Sequence, residues 1–277
     1  MIWRLPRGPL DLSRQGCIMG VLNVTPDSFS DGGSFLDRDA AVAHALELAA
    51  LGADIIDVGG ESTRPGAESV GIDEEMRRVL PVIRGLRARS DVLISIDTSK
   101  AAVAEAAMEA GADIINDVTA LLGDPAMPGV AARTGAGVVL MHMQGEPRTM
   151  QQSPHYDDVV AEVAEFLRQR IDAAVGCGIA VENLAIDPGI GFGKKPEHNR
   201  ALLQNLPVLV DLDRPVLVGV SRKSFLAWLG DAPAIEDRFW PGVALTSYCR
   251  ELGARIFRVH DPKPHREALR MTEAIHA

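Results

Sequence analysis

Ten polar residues stand at the ends of short apolar runs: Asn23, Asp57, Asp97, Asn116, His142, Asp187, Ser221, Lys223, Arg258 and His260. Two kinds of chemistry are represented. Asp97, Asn116 and Asp187 supply acceptors and an amide that match a flat, polar heterocycle with several N–H donors. A carboxylate facing an amidine-like edge makes paired, charge-assisted hydrogen bonds. Arg64, Arg222, Lys223, Arg258 and His260 are cationic and suit phosphate or carboxylate groups. Asn23 could give one oxygen to Mg2+, which keeps several waters and binds through substrate phosphates. Surface salt bridging is the plain reading of any one cation and fits Arg222 best. It fits Arg258 and His260 less well, because they flank Val259 at a strand end.

One stretch concentrates these features, Asn183-Leu-Ala-Ile-Asp187-Pro-Gly-Ile-Gly-Phe-Gly-Lys194-Lys195. A short apolar run stops on a carboxylate, and Pro188 and three glycines follow. Proline cannot continue a sheet ladder, and glycine permits backbone shapes closed to other residues. Such a strand end can place a carboxylate at a pocket mouth. Two polar loops, Thr25–Gly33 and Ser62–Ser69, carry the glycines and prolines of lids that exclude water. Neither Gly189–Lys194 nor Gly219–Ser224 has Walker A spacing, and no GxGxxG follows a first strand. No HExxH and no Ser/His/Asp order occurs, so zinc chemistry and nucleophilic hydrolysis are poor matches.

The elements that must position these residues alternate. Apolar runs at 17–24, 54–58, 92–96, 113–118, 137–141, 184–186, 215–220 and 255–259 read as strands. Helical patterns follow at 39–51, 72–89, 100–110, 128–133, 156–175, 199–206, 236–252 and 265–276, with a break or kink expected at Pro241-Gly242. Eight strand–helix units fit an α/β fold, a single (β/α)8 (TIM) barrel spanning residues 1–277, with long βα loops 1 and 2 at its C-terminal face. The continuous apolar strands suit a sheet buried on both faces. A doubly wound open sheet is the alternative, but it would gather its polar residues near one switch point. With 47% hydrophobic residues and a net charge of -10, the chain is not expected to bind nucleic acid or an anionic membrane. Three dispersed cysteines and no signal-like or membrane-length apolar run lead us to expect a cytoplasmic protein.

From about Ile18 to Arg270 the chain resembles the dihydropteroate synthase family. The matching blocks are Asn23–Gly33, Asp57–Gly66, Ile96–Thr98, Ile115–Asp117, Met141–Gln144, Asp187–Lys194, Ser221–Ser224 and Arg258–His260. The resemblance implies a transferase that joins (7,8-dihydropterin-6-yl)methyl diphosphate to 4-aminobenzoate with Mg2+. It implies that Asp97, Asn116, Asp187 and Lys223 hold the pterin. Asn23, Arg258, His260 and Mg2+ would hold the diphosphate, with Asn23 as the metal ligand. Thr63, Arg64, Pro65, Phe192, Ser221 and Lys223 would shape the aminobenzoate site. Asp31 would approach the developing cation. A homodimer is implied as well. The chain departs from the family pattern at Arg238-Phe-Trp-Pro-Gly242-Val243, away from the implied pocket. The competing readings are a pterin-dependent methyltransferase of the same barrel type and a catalytically silent pterin-binding protein. The methyltransferase would not need the diphosphate cations or the Ser221-Arg-Lys223 block. A silent binder would be expected to have lost Asn23, Asp31, Lys223 or Arg258. A third alternative, an unrelated phosphate-binding barrel lyase, leaves the pterin-matching carboxylates unexplained.

Overall fold

A two-stranded antiparallel hairpin opens the chain, β1 (Ile2–Leu5) and β2 (Gly8–Asp11), which is absent from the expected elements. The structure is a computed structural model and describes residues 1–25, 33–62, 69–146, 149–230 and 233–275. Eight parallel strands follow the hairpin: β3 (Cys17–Asn23), β4 (Ile55–Gly59), β5 (Leu93–Asp97), β6 (Ile114–Asp117), β7 (Gly137–Met141), β8 (Leu184–Asp187), β9 (Leu217–Val218) and β10 (Ile256–Val259). Their order in the sheet is β8-β7-β6-β5-β4-β3-β10-β9. A bridge between Ile186 and Val216 joins the two outer strands and closes the barrel.

Helices fill the connections: α1 (Gly33–Ala50), α2 (Ile72–Arg87), α3 (Ala101–Glu109), α4 (Met127–Thr134), α5 (Val159–Gly176), α6 (Pro196–Gln204), α7 (Leu206–Val210), α8 (Phe225–Gly230), α9 (Phe239–Glu251) and α10 (Pro262–Ile275). Helix α5 starts later than its apolar pattern alone indicates because Asp158 caps it, accepting from the amides of Val160 (3.0 Å) and Ala161 (3.1 Å). The Glu162 carboxylate, one residue beyond the capping-box position, reaches back to the Asp157 and Asp158 amides. The expected break at Pro241-Gly242 does not occur. Pro241 falls in the first turn of α9, where its missing amide has no intrahelical partner to lose.

Alternation along the strands sorts the side chains into two cores. Ile18, Leu22, Ile56, Val58, Ile94, Ile96, Ile115 and Phe257 point outward and pack on the helices. Cys17, Met19, Ile55, Ile114, Val139, Ala185, Leu217 and Ile256 point inward and fill the barrel floor. Trp3, Leu5 and Leu12 plug that floor from below. Trp3 is fully buried and donates its indole N–H to the Asn183 carbonyl at 2.7 Å. Burying these three side chains contributes on the order of 5 kcal/mol or more. The plug needs Gly137, since a Cβ there would stand 2.3 Å from a Leu5 methyl. Above the floor, the inward positions two residues further along β4, β6, β8 and β10 are polar, Asp57, Asn116, Asp187 and Arg258, and face the open end of the barrel.

Candidate functional site

The strand register lays out the mouth. Asn23 pairs level with Gly59, Gly59 with Asp97, and Asp97 with Asn116, so four adjacent strands present one row. Arg258 reaches this row from β10. Its Nε donates to Asp57 Oδ2 at 2.6 Å and its Nη2 to Asp97 Oδ2 at 2.7 Å. The Asn116 side-chain amide donates to the same Asp57 oxygen at 3.1 Å. Burial works against the Arg258 guanidinium, but Asp57 and Asp97 outweigh it and hold its pKa above the ordinary arginine range. Burial likewise pushes the Asp97 carboxyl up to about 7, against the pull of Arg258 and with repulsion from Asp57.

The opposite wall comes from β8 and the turn after β9. Asp187 Oδ1 accepts the Gly189 amide at 2.6 Å. Burial raises the Asp187 pKa, and the Lys223 ammonium opposes the rise. Burial lowers Lys223 to about 8, with Asp187 resisting. Lys223 donates to the Ile190 carbonyl and lies 4.7 Å from the centre of the Phe192 ring. It reaches the mouth because Arg222 takes a left-handed conformation, with φ of 59°. Arg222 itself pairs with Asp261 at 2.8 Å, the surface bridge that its position suggested. Ser221 Oγ accepts the His260 amide (3.3 Å) and pairs with His260 Nδ1 (3.1 Å). One hydroxyl therefore connects the end of β10 to the turn after β9.

Asp97, Asn116, Asp187, Lys223, Ser221, Phe192, Arg258, His260 and Asn23 thus come together around one cavity rim. Asp31, Thr63, Arg64 and Pro65 lie outside the described residues. His142 does not join the mouth. β7 ends with Met141 facing inward, so His142 turns to the helical layer, where its ring meets Phe166 edge-on at 4.9 Å. Burial and the nearby Lys194 charge lower its pKa to about 3.

The sequence reading left three features without a role. Asp57 is the fully buried partner of Arg258. Lys194 is buried among carbonyls. Lys100 joins Glu61, at the root of the second loop, to the buried Glu75 of α2, the latter at 2.5 Å. The polar spacing of Asp57 was visible. The two lysines carried no local signal, because a lysine after a loop or before a helix ordinarily faces water.

Among the described residues, no three or more His, Cys, Asp or Glu side chains are placed to hold a metal ion. Asn23 stands over the bare backbone of Gly59, where a Cβ would come 3.9 Å from its Oδ1. One neutral oxygen beside the cationic Arg258 is a donor set that fits Mg2+, which takes most of its ligands from water and substrate phosphates.

The arrangement offers carboxylates and an amide to a planar ring bearing N–H donors, with cations beside them for an anionic group. Residues 19–260 match the family model described as pterin binding enzyme. The chain is similar to a protein of Escherichia coli K12 named dihydropteroate synthase, 48% identical over 265 residues that cover 96% of this chain and 93% of that one. A structure of the Xanthomonas albilineans dihydropteroate synthase with 4-aminobenzoic acid superposes with a TM-score of 0.91 at 48% identity, covering 97% of this chain and 96% of the other. A structure of the same enzyme in complex with 7,8-dihydropteroate gives a TM-score of 0.87 at 45% identity over the same shares.

Proposed function

The chain belongs to the dihydropteroate synthase family of pterin-binding enzymes, and from that membership we propose the reaction of its barrel mouth. It condenses (7,8-dihydropterin-6-yl)methyl diphosphate with 4-aminobenzoate, giving 7,8-dihydropteroate and diphosphate in folate synthesis. The observation that carries this reading is the cluster in which Arg258 joins Asp57 to Asp97, with Asn116, Asp187 and Lys223 around it.

In this reading the pterin lies between the two walls. Its N–H edge donates to Asp97 and Asp187, Asn116 adds an amide contact, and Lys223 donates to a ring acceptor. Arg258, His260 and Asn23 line the diphosphate side. Mg2+, when bound through Asn23 and phosphate oxygens, would neutralise charge on the leaving group. The methylene C–O bond breaks and diphosphate leaves with the electron pair. The pterin ring delocalises the positive charge left behind, so electrostatic stabilisation is the main task. Asp31, on the first loop, supplies a negative charge to that cation. The neutral arylamine then forms the C–N bond and gives up one proton. It is held by Thr63, Arg64 and Pro65 from the second loop and by Phe192, Ser221 and Lys223. Such a weakly basic nucleophile requires no strong general base, consistent with a site rich in fixed charges.

A homodimer completes the proposal. Trp228, Leu229, Ile235, Trp240 and Tyr248 are exposed large apolar residues on α8, α9 and their connection. An apolar surface of this kind supports association with a second copy. No helix among the described residues is long and apolar enough to cross a membrane. The free thiols of Cys17, Cys177 and Cys249 support residence in the reducing cytoplasm.

Incubating the purified chain with both substrates and Mg2+ and identifying the product by mass tests the assignment. 7,8-Dihydropteroate is expected. Pterin binding without that product would point to a silent pterin binder, and methyl transfer in a separate incubation with a methyl-bearing tetrahydropterin would point to the methyltransferase reading.

A further inference from the structure

Lys194 is 3% exposed, and its ammonium is surrounded by neutral acceptors. It donates to the carbonyls of Gly189 (3.0 Å), Phe192 (3.0 Å) and His142 (3.3 Å), and it lies 2.9 Å from His142 Nδ1. Among the described residues it forms no direct ion pair with a carboxylate. Burying a cation among dipoles is costly, which is why burial lowers the Lys194 pKa to about 7. An apolar side chain would fill the space but leave the His142, Gly189 and Phe192 carbonyls without this donor, so the ammonium ties segments together rather than merely filling a gap.

The geometry of the loop does. Residues 188–193 leave β8 after Asp187 and cross the cavity rim. Two of their carbonyls, at Gly189 and Phe192, turn inward to Lys194. Of the two carbonyls between them, that of Ile190 receives Lys223 and that of Gly191 accepts from the Gln151 side chain at 2.6 Å. The Phe192 ring lies against the same ammonium, and a Cβ on Gly191 would stand 3.3 Å from the Lys223 stem. Tyr156 adds a further tie by donating to the Gly193 carbonyl at 2.8 Å. The loop is pinned on its far side and presents its near side to Lys223.

We infer that Lys194 is a positioning residue for the amine side of the site: its buried ammonium ties the Gly189 and Phe192 carbonyls to His142 and so sets the wall that Phe192 and Ile190 present to Lys223. This inference rests on the proposed synthase reading. It assigns to the loop a larger effect on the aminobenzoate, which Phe192 would touch, than on the pterin, which shares only Lys223 with this wall and is otherwise held by Asp97, Asn116 and Asp187.

The test is steady-state kinetics of Lys194→Met and His142→Phe beside the unsubstituted chain. Lys194→Met keeps the stem and removes the donors. His142→Phe keeps a ring against Phe166 and Tyr156 but removes the Nδ1 acceptor, and it serves if the lysine variant does not fold. The expected result is a rise of about tenfold or more in KM for 4-aminobenzoate, with KM for the pterin diphosphate changed by less than about twofold. The histidine variant should show the same split at smaller size. Equal rises in both KM values, or no rise in either, would overturn the inference. If the unsubstituted chain itself makes no dihydropteroate, the synthase reading fails instead, so the two failures are distinguishable.

Discussion

Replacing Arg258 by methionine removes the guanidinium that bonds both Asp57 and Asp97. Its two charge-assisted bonds, at 2.6 and 2.7 Å, end on carboxylates that are 0% and 8% exposed. Hydrogen bonds to charged groups contribute about 1.5–3 kcal/mol each, and breaking a buried pair costs about 3–5 kcal/mol. Arg258→Met should therefore destabilise the fold by roughly 3–5 kcal/mol near pH 8. The loss should shrink in acid. Asp97 has a folded pKa of about 7, above its ordinary value, so its protonated form is the one that folding favours, and that stability fades as pH rises through 7. Without the guanidinium the folded pKa rises further, and the variant keeps that proton across pH 6–8. In the unsubstituted chain the proton is lost halfway through the same interval. The difference is about one pH unit of linkage, or on the order of 1 kcal/mol. Urea unfolding at pH 6 and pH 8 measures it. A variant equally destabilised at both pH values, or destabilised by less than about 1 kcal/mol at pH 8, would refute the reasoning.

Three other outcomes are expected. Asp187→Ala should weaken pterin binding by roughly tenfold to a hundredfold, the loss of one charge-assisted contact of about 1.5–3 kcal/mol, and leave 4-aminobenzoate affinity nearly unchanged; calorimetry with each ligand checks this. In the free enzyme, kcat/KM should fall below about pH 7 as Asp97 takes up a proton and above about pH 8 as Lys223 gives one up; a profile flat from pH 6 to 9 would contradict both assignments. Gly189→Ala should cost more than about 2 kcal/mol, because φ is +65° and the new Cβ would stand 1.9 Å from the His142 carbonyl oxygen. Gly135→Ala, with the same φ but open space, is the control and should cost only about 1–2 kcal/mol in thermal or urea unfolding.

Much of this site was legible because a parallel barrel couples position in the chain to position in space. Asp97, Asn116, Asp187 and Arg258 each end an apolar run, and polar residues ending nearly every strand favoured a closed barrel with a shared mouth over an open sheet. His142 shows the limit of that rule. It follows its strand by one residue, and a shift of one residue reverses the direction of a side chain. The N-terminal hairpin was hidden because Arg4, Pro6, Arg7, Gly8 and Pro9 obscure the two buried positions, Trp3 and Leu5, that matter to the floor. Pro241 misled for a physical reason too: proline breaks a helix interior but not its first turn. Lys194 and the Lys100–Glu61–Glu75 cluster depend on which segments meet in three dimensions, and neither has a periodic pattern. The strand register that aligns Asn23, Gly59, Asp97 and Asn116 is likewise set by pairing across strands, which apolar runs alone do not specify.

The most direct test of the central claim follows diphosphate release from (7,8-dihydropterin-6-yl)methyl diphosphate and Mg2+, with and without 4-aminobenzoate, for the unsubstituted chain and for Lys223→Ala. The account predicts sustained release that depends on the amine, matched by dihydropteroate formation, and loss of turnover in Lys223→Ala. Release that ignores the amine, or near-normal turnover without Lys223, would contradict it.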